Sequence, residues 1–151
     1  MIKLIDLEVY KVALEIGDKV WDIVIAWDHF NRDTLGKQFV DAADSIALNI
    51  AEGYGRYHFK ENKNFNYYGR GSAFESTACL RKAYTRELVT SAQNSELRAM
   101  FEKYFRLVNG YIKSIGKTQS INIAREDSDV LDNCSLEDQL SNDNLNEAED
   151  H

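Results

Sequence analysis

The sequence predicts an all-α fold: an antiparallel up-down-up-down four-helix bundle over residues 1–118, followed by an acidic, disordered tail over residues 119–151. Apolar residues recur at spacings of three and four in four successive segments, which is the helical period. The 151 residues contain no proline, so no residue type interrupts long helices. Short connections between four such helices favour antiparallel neighbours.

The first segment, residues 6–30, carries the clearest pattern. One apolar stripe consists of Val9, Ala13, Ile16, Val20, Ile23, Trp27 and Phe30. A second stripe beside it consists of Leu7, Tyr10, Leu14, Gly17, Trp21 and Val24. Together they form a wider apolar face than one helix of a monomeric bundle needs, which favours a homo-oligomer. The alternative is a tryptophan-rich helix that is simply well buried.

The second helix is predicted from Leu35 to Tyr54, after a polar connection over residues 31–34 in which Thr34 is the N-cap. Gly53 and Gly55 end it. Its predicted buried face consists of Leu35, Phe39, Ala42, Ile46, Ile50 and Gly53.

The third and fourth helices are predicted over residues 60–89 and from about residue 95 to Gly116, with a loop over residues 90–94 and Asn94 or Ser95 as the N-cap. The inward positions of the third are Phe65, Tyr68, Ser72, Glu75, Cys79 and Ala83. Those of the fourth are Leu97, Phe101, Tyr104, Val108, Tyr111 and Ile115.

Charge is distributed unevenly along the chain. Residues 1–118 hold 17 basic and 15 acidic side chains, whereas residues 119–151 hold one basic and ten acidic ones, so the net charge of −7 belongs to the tail. The tail has no aromatic residue, and so little apolar surface does not offset the entropy of ordering. The near-neutral bundle neither requires nor excludes a nucleic-acid partner.

Membrane and secretory features are missing from the sequence pattern. No apolar run approaches the roughly 18 residues of a membrane span. Asp6 and Glu8 interrupt any signal-peptide pattern at the start. Cys79 and Cys134 do not make a disulfide framework. The simplest prediction is a cytoplasmic protein.

Four polar residues fall on otherwise inward positions of the second and third helices: Asn49, Glu52, Ser72 and Glu75. We expect a hydrogen-bonded network that sets the register of the bundle or of a subunit contact. The alternative, a carboxylate pair for acid–base catalysis, has neither a nucleophile nor an electrophilic group beside it. No Glu-x-x-His motif is present, so neither a metal nor another cofactor is predicted.

An aromatic and basic run spans residues 54–70. It holds Arg56, Tyr57, Lys60, Lys63 and Arg70, against a single acid, Glu61. Basic side chains neutralise phosphates, and exposed rings stack on unpaired bases. The run is therefore a candidate site for nucleic acid or a protein partner. Alternatively, it is a solvated connection next to rings that belong to the core.

Three motifs carry a family resemblance. They are Asp6-Leu7-Glu8-Val9-Tyr10-Lys11, Asn49-Ile50-Ala51-Glu52-Gly53 with the preceding Ser45-Ile46, and Gly71-Ser72-Ala73-Phe74-Glu75. In this order they resemble the bacterial four-helix bundle proteins encoded by intervening sequences of 23S rRNA genes, over about residues 3–117. The resemblance implies a ring-shaped oligomer, typically a pentamer, and no established enzymatic role. Related proteins accompany the reverse transcriptases of diversity-generating retroelements and bind polymerase and nucleic acid.

The predicted function is therefore a non-enzymatic, oligomeric accessory module. It would contact RNA, DNA or a nucleic-acid enzyme such as a reverse transcriptase through the run from Arg56 to Arg70. The alternative is a structural protein–protein scaffold that binds no nucleic acid.

Overall fold

Four long helices make up the described part of this computed structural model, which covers residues 2–117. They are α1 (Glu8–Ile25), α2 (Lys37–Tyr54), α3 (Phe59–Thr85) and α4 (Ser91–Ser114). No strand occurs among these residues, so the all-α four-helix prediction is confirmed. The disorder predicted for residues 119–151 concerns a segment outside the described residues.

Each helix packs against the next along the chain, and α4 also packs against α1. The contacts run in antiparallel order. A Cβ on Gly36, just before α2, would meet Val24 near the end of α1, while the Tyr54 hydroxyl at the end of α2 donates to the Ile2 carbonyl at 2.7 Å. These two contacts show that α1 and α2 are antiparallel, as neighbouring helices of an up-down-up-down bundle are.

The connection between the first two helices lies earlier than the sequence predicts. α1 ends at Ile25, and Asp28 begins a new helical run by accepting a hydrogen bond from the Asn31 amide at 3.2 Å. A helical turn at His29–Asn31 and a π-helix at Arg32–Gly36 lead into α2. Thr34 is therefore not the N-cap; its hydroxyl donates to the Phe30 carbonyl inside the run.

The core follows the predicted stripes on α1, α2 and α4. The first apolar stripe predicted for this helix is buried except Phe30, which lies after the new turn and is 70% exposed. The second stripe is buried only at Gly17 and Val24, whereas Leu14 and Trp21 are exposed. All six predicted positions of α2 are buried. On α4, Tyr111 is only half-buried, and Ile112 takes its place in the core.

The first half of α3 is rotated by about one residue from the prediction. The buried residues there are Asn66, Gly69, Ala73 and Ser76, whereas Tyr68 and Glu75 are exposed. Small side chains explain the rotation, because they bring α3 close to α2. A Cβ on Gly69 would lie 3.2 Å from the Ile46 carbonyl oxygen.

The turn between α3 and α4 has the predicted length but lies four residues earlier, over residues 86–90. α3 ends at Thr85, and Glu87 adopts a left-handed conformation with a φ of 59°. Thr90, not Asn94 or Ser95, is the N-cap of α4. Thr90 and Gln93 exchange hydrogen bonds of 2.9 and 3.0 Å in a capping box, which satisfies two amides at the start of α4.

Candidate nucleic-acid interface

The candidate site lies at the turn between α2 and α3. α2 ends at Tyr54, and Gly55 follows it with its amide bonded to the Ala51 carbonyl at 3.2 Å. His58 is extended, with φ −91° and ψ 129°, and α3 begins at Phe59. Residues 55–60 are all exposed, so this turn presents its side chains to solvent.

Arg56 is held at the turn by two contacts. Its Nη2 donates to Glu52 Oε1 at 2.7 Å, and its guanidinium lies 4.8 Å from the centre of the Phe65 ring. The ion pair is exposed, so it contributes little to stability. It nevertheless places a carboxylate beside the charge that would neutralise a phosphate.

Tyr57 and Lys60 are the freest members of the site. Tyr57 is 88% exposed, and within residues 2–117 its ring contacts one other ring, that of His58, edge-on with 5.0 Å between centroids. Lys60 is exposed on the first turn of α3. An exposed aromatic ring near an exposed ammonium group offers both base stacking and phosphate neutralisation.

Lys63 and Arg70 lie farther along α3, and both are half-buried. Arg70 Nη1 donates to Asn109 Oδ1 of α4 at 3.0 Å, and its guanidinium lies 4.9 Å from the centre of the Tyr67 ring. The Arg70 position is therefore ordered by α4. Its charge faces the α3–α4 side, two turns of helix from Lys63.

Two exposed rings of the aromatic and basic run were not among the predicted site residues. Tyr67 and Tyr68 are 45% and 59% exposed, although the predicted register assigned Tyr68 to the core. Tyr68 touches Phe65 edge-on, with 5.6 Å between centroids. The run of small residues at Gly69, Ala73 and Ser76 was the signal that could have identified the true buried face.

The predicted polar network does not form within the described chain. Asn49 Nδ2 donates to the Ser45 carbonyl at 2.7 Å, Glu52 pairs with Arg56, and the Ser72 carbonyl accepts from Ser76. Glu75 accepts a long 3.4 Å hydrogen bond from Gln38 of α2. These hydrogen bonds do not connect the four residues to one another, and both carboxylates are exposed. A network inside the bundle is therefore not formed, and a network at a contact between subunits remains a prediction.

The remaining titratable side chains were compared with the needs of a metal site and of a nucleophile. Across residues 2–117, no group of three or more His, Cys, Asp or Glu side chains is arranged to hold a metal ion. Cys79 is buried in the core, and this burial, with the nearby Glu75 carboxylate, raises the pKa of its thiol. A raised pKa disfavours the nucleophilic thiolate. Within the same residues, no helix has the length and apolar character needed to cross a bilayer.

Comparison with known proteins places this fold in a family. The sequence profile described as "23S rRNA-intervening sequence protein" matches residues 5–110, which is most of the bundle. No curated protein matches the chain. A crystal structure of a protein of unknown function from the S23 ribosomal protein family of Bacteroides thetaiotaomicron is similar in fold, with a TM-score of 0.63. The two share 19% sequence identity, and the match covers 70% of this chain and 99% of the other. With this match over residues 5–110, the chain belongs to the 23S rRNA-intervening sequence protein family.

Proposed function

We propose that the chain is a non-enzymatic, oligomeric accessory module that contacts single RNA strands, or an enzyme that carries them, through the turn between α2 and α3. The observation that carries this proposal is the Tyr57 ring, 88% exposed between the exposed side chains of Arg56 and Lys60. An unpacked ring of this size is costly in water, and stacking on a base would bury it.

The basic side chains around the Tyr57 ring differ in how free they are to bind a phosphate. Lys60 is exposed and has no acidic partner within 4.0 Å among the described residues, whereas Arg56 must leave Glu52 or share its charge. Lys63 and Arg70 extend the positive surface along α3, with Arg70 oriented by Asn109. One copy therefore offers few phosphate contacts, and an oligomer would multiply them by avidity.

The partner in this proposal is RNA, DNA or a reverse transcriptase bound to either. The relation to diversity-generating retroelements remains a prediction. The family assignment is compatible with it but names no ligand.

The experiment is a titration of fluorescent single-stranded RNA with the full chain at several salt concentrations. Each lost phosphate contact lowers the slope of log K against log salt by about 0.7 for a single strand. We expect Tyr57→Ala to weaken binding with little change in slope and Lys60→Glu to lower both affinity and slope. Lys103→Glu, at an exposed lysine of α4 that has no acidic partner within 4.0 Å among the described residues, is the matched charge control. Unchanged binding in both site variants would refute the site.

A structural scaffold is the second candidate, and the Arg56–Glu52 ion pair favours it. Its 2.7 Å distance satisfies the cation inside the chain, as expected where surface charges only keep a bundle soluble. In that case the wild-type protein would bind no RNA at moderate salt, and a nuclease-insensitive protein partner would be recovered instead.

A further inference from the structure

Basic and aromatic side chains continue along one side of α3, well beyond the turn that carries the candidate site. They follow one another at steps of three, four or seven residues, so they form a single line on the helix surface. We define the α3 stripe by these six residues: Lys60, Lys63, Tyr67, Arg70, Phe74 and Arg81. From its first to its last residue the stripe is about 32 Å long, at a rise of about 1.5 Å per residue.

The α3 stripe faces solvent rather than the core. Phe74 is 60% exposed and Tyr67 is 45% exposed, and Lys60 and Arg81 are exposed at the two ends. Gly71 lies between the two rings and is itself exposed, and a Cβ there would meet no atom within 4 Å. A ligand can therefore approach the helix surface closely between the two rings.

Side chains of α4 hold the middle of the stripe in place. Arg70 Nη1 donates to Asn109 Oδ1 at 3.0 Å, and the Arg70 guanidinium lies 4.9 Å from the centre of the Tyr67 ring. Phe74 packs against Phe105, with 4.6 Å between ring centroids. These contacts order the side chains before any ligand arrives, which lowers the entropy that binding has to overcome.

The positive charge of the stripe is not neutralised by neighbouring acids. α3 holds five basic and two acidic residues, a net charge of +3. The acids, Glu61 and Glu75, each directly follow a member of the stripe, and consecutive helical residues point about 100° apart. Across residues 2–117, the four cations of the stripe have no acidic partner within 4.0 Å. They are therefore available to an anionic ligand.

Cations that alternate with exposed rings are the features that bind single nucleic-acid strands. The positive charges follow the phosphates, and each ring stacks on an unpaired base. In a duplex the bases already stack on one another, so the two rings would have no base to contact. A stacked strand advances about 3.4 Å per nucleotide, so the stripe accommodates at most about nine nucleotides.

We infer that the α3 stripe is a track for single-stranded RNA, on which Tyr67 and Phe74 stack on bases and the four cations neutralise phosphates. The strand runs from the turn between α2 and α3 to Arg81, near the far end of α3. This inference rests on the proposed function, in which RNA is the ligand, and adds the path of the strand, its single-stranded form and its length.

A length series of fluorescent oligouridylates, titrated with the full chain, tests the extent of the track. A trinucleotide reaches one or two cations, whereas nine nucleotides reach all four. We expect affinity to rise from three to nine nucleotides, and the slope of log K against log salt to steepen from about 1 to about 3. A duplex of nine base pairs should bind more weakly than the nine-nucleotide strand, because neither ring can stack on it.

Phe74→Leu tests stacking at a ring outside the turn. Leucine removes the flat ring but still packs against Phe105, so the fold is retained, which circular dichroism and the melting temperature check. We expect affinity for nine nucleotides to fall by about 5- to 100-fold, with an unchanged salt slope. Phe74→Tyr should restore most of it. Tyr68→Leu is the matched control, because Tyr68 is 59% exposed on the same helix but points about 100° away from Tyr67.

Arg81→Glu and Lys82→Glu form a matched pair for the phosphate contact at the far end. Both residues are exposed neighbours on α3, and both substitutions change the net charge equally, but only Arg81 lies on the stripe. We expect Arg81→Glu to weaken binding of nine nucleotides more than Lys82→Glu does. Arg81→Glu should also reduce the salt slope by about 0.7, whereas Lys82→Glu should leave it unchanged.

Three results would overturn the track: equal affinities in Phe74→Leu and Tyr68→Leu, equal effects of Arg81→Glu and Lys82→Glu, or a duplex that binds as tightly as the single strand. Each would leave the proposed function standing if Tyr57→Ala and Lys60→Glu still weaken RNA binding. A wild-type protein that binds no strand of any length would refute the proposed function and the track together. Failure of the track alone is therefore distinguishable from failure of the proposed function.

Discussion

Gly53 of α2 lies directly against Phe65 of α3: a Cβ on Gly53 would be 2.9 Å from the Phe65 Cβ. The same atom would lie 3.0 Å from the carbonyl oxygen of Asn62. Both distances are shorter than van der Waals contact, and the second involves backbone. The absence of a side chain at residue 53 therefore sets how closely α2 and α3 approach at the candidate site.

Gly53→Ala should lower the free energy of unfolding by about 1–3 kcal/mol, the usual cost of overpacking. Gly110→Ala is the matched control, because Gly110 also lies inside a helix but a Cβ there meets nothing within 4 Å. That control should raise the free energy of unfolding by about 0.5–1 kcal/mol, since alanine is the better helix former. Urea unfolding measures both. Similar shifts in the two variants would show that the close approach carries no cost.

Tyr104 offers a second test of the core. Its hydroxyl is buried and has no hydrogen-bond partner among the described residues, and burial raises its pKa well above the ordinary range. A buried, unpaired hydroxyl costs about 1–3 kcal/mol. Tyr104→Phe should therefore leave the free energy of unfolding unchanged or raise it by about 1 kcal/mol, measured by urea unfolding. A loss of more than about 1 kcal/mol would reveal a bonded hydroxyl.

The buried faces of α1, α2 and α4 could be predicted from the sequence, because large apolar residues occur there at regular helical spacing. Residues such as Ile16, Ile46 and Val108 are fully buried where the pattern placed them. The face of α3 could not be predicted in this way. Its buried side is made of Gly69, Ala73 and the polar Asn66, and its rings point outward, so apolar periodicity selects the wrong residues.

The start of α2 was mispredicted for a different reason. Polar residues from Asn31 to Thr34 are typical of a loop, but they occupy the exposed side of a helical run that begins after Asp28. The π-helix at Arg32–Gly36 also breaks the 3.6-residue period on which the prediction depends. The turn that carries the candidate site is exposed, whereas the ion pair between Arg56 and Glu52 needed coordinates to be seen.

Asp28 should make stability depend on pH. Its hydrogen bonds from the Asn31 side chain and amide hold the pKa of its carboxyl below the ordinary value. The stabilisation is thus present above the unfolded-state pKa and is lost as pH falls through the lowered folded-state pKa. Asp28→Asn should lower the melting temperature at neutral pH, and the difference should shrink in acid. A difference that stays constant with pH would contradict the role of the charge.

Asp44 should show the opposite dependence. Asp44 is exposed, but partial desolvation of its carboxylate beside Gly17, followed by repulsion from Asp18 and Asp41, raises the pKa of its carboxyl. A raised folded-state pKa means that stability is highest below the unfolded-state pKa and decreases as pH rises through the folded-state value. Asp44→Asn should therefore raise the melting temperature at neutral pH and have little effect in acid. Thermal melts of Asp44→Asn and Asp28→Asn across the same pH range should show opposite signs at neutral pH.

Glu52 should act as a competitor for any phosphate that approaches Arg56. Glu52→Gln removes the negative charge 2.7 Å from the Arg56 guanidinium and leaves the side chain nearly the same size. We expect single-stranded RNA affinity to rise several-fold and the salt slope to steepen, because Arg56 becomes free to neutralise a phosphate. The measurement is the same fluorescence titration.

Glu61→Gln separates a released arginine from a general change in charge. Glu61 lies on the first turn of α3, and no ion pair within 4.0 Å joins it to a described cation. Both variants change the net charge equally, so a purely long-range effect would raise affinity by the same factor in each. A larger gain in Glu52→Gln, abolished when Arg56→Ala is added, assigns the gain to Arg56. Equal gains in the two variants would show that Arg56 makes no direct contact with the RNA.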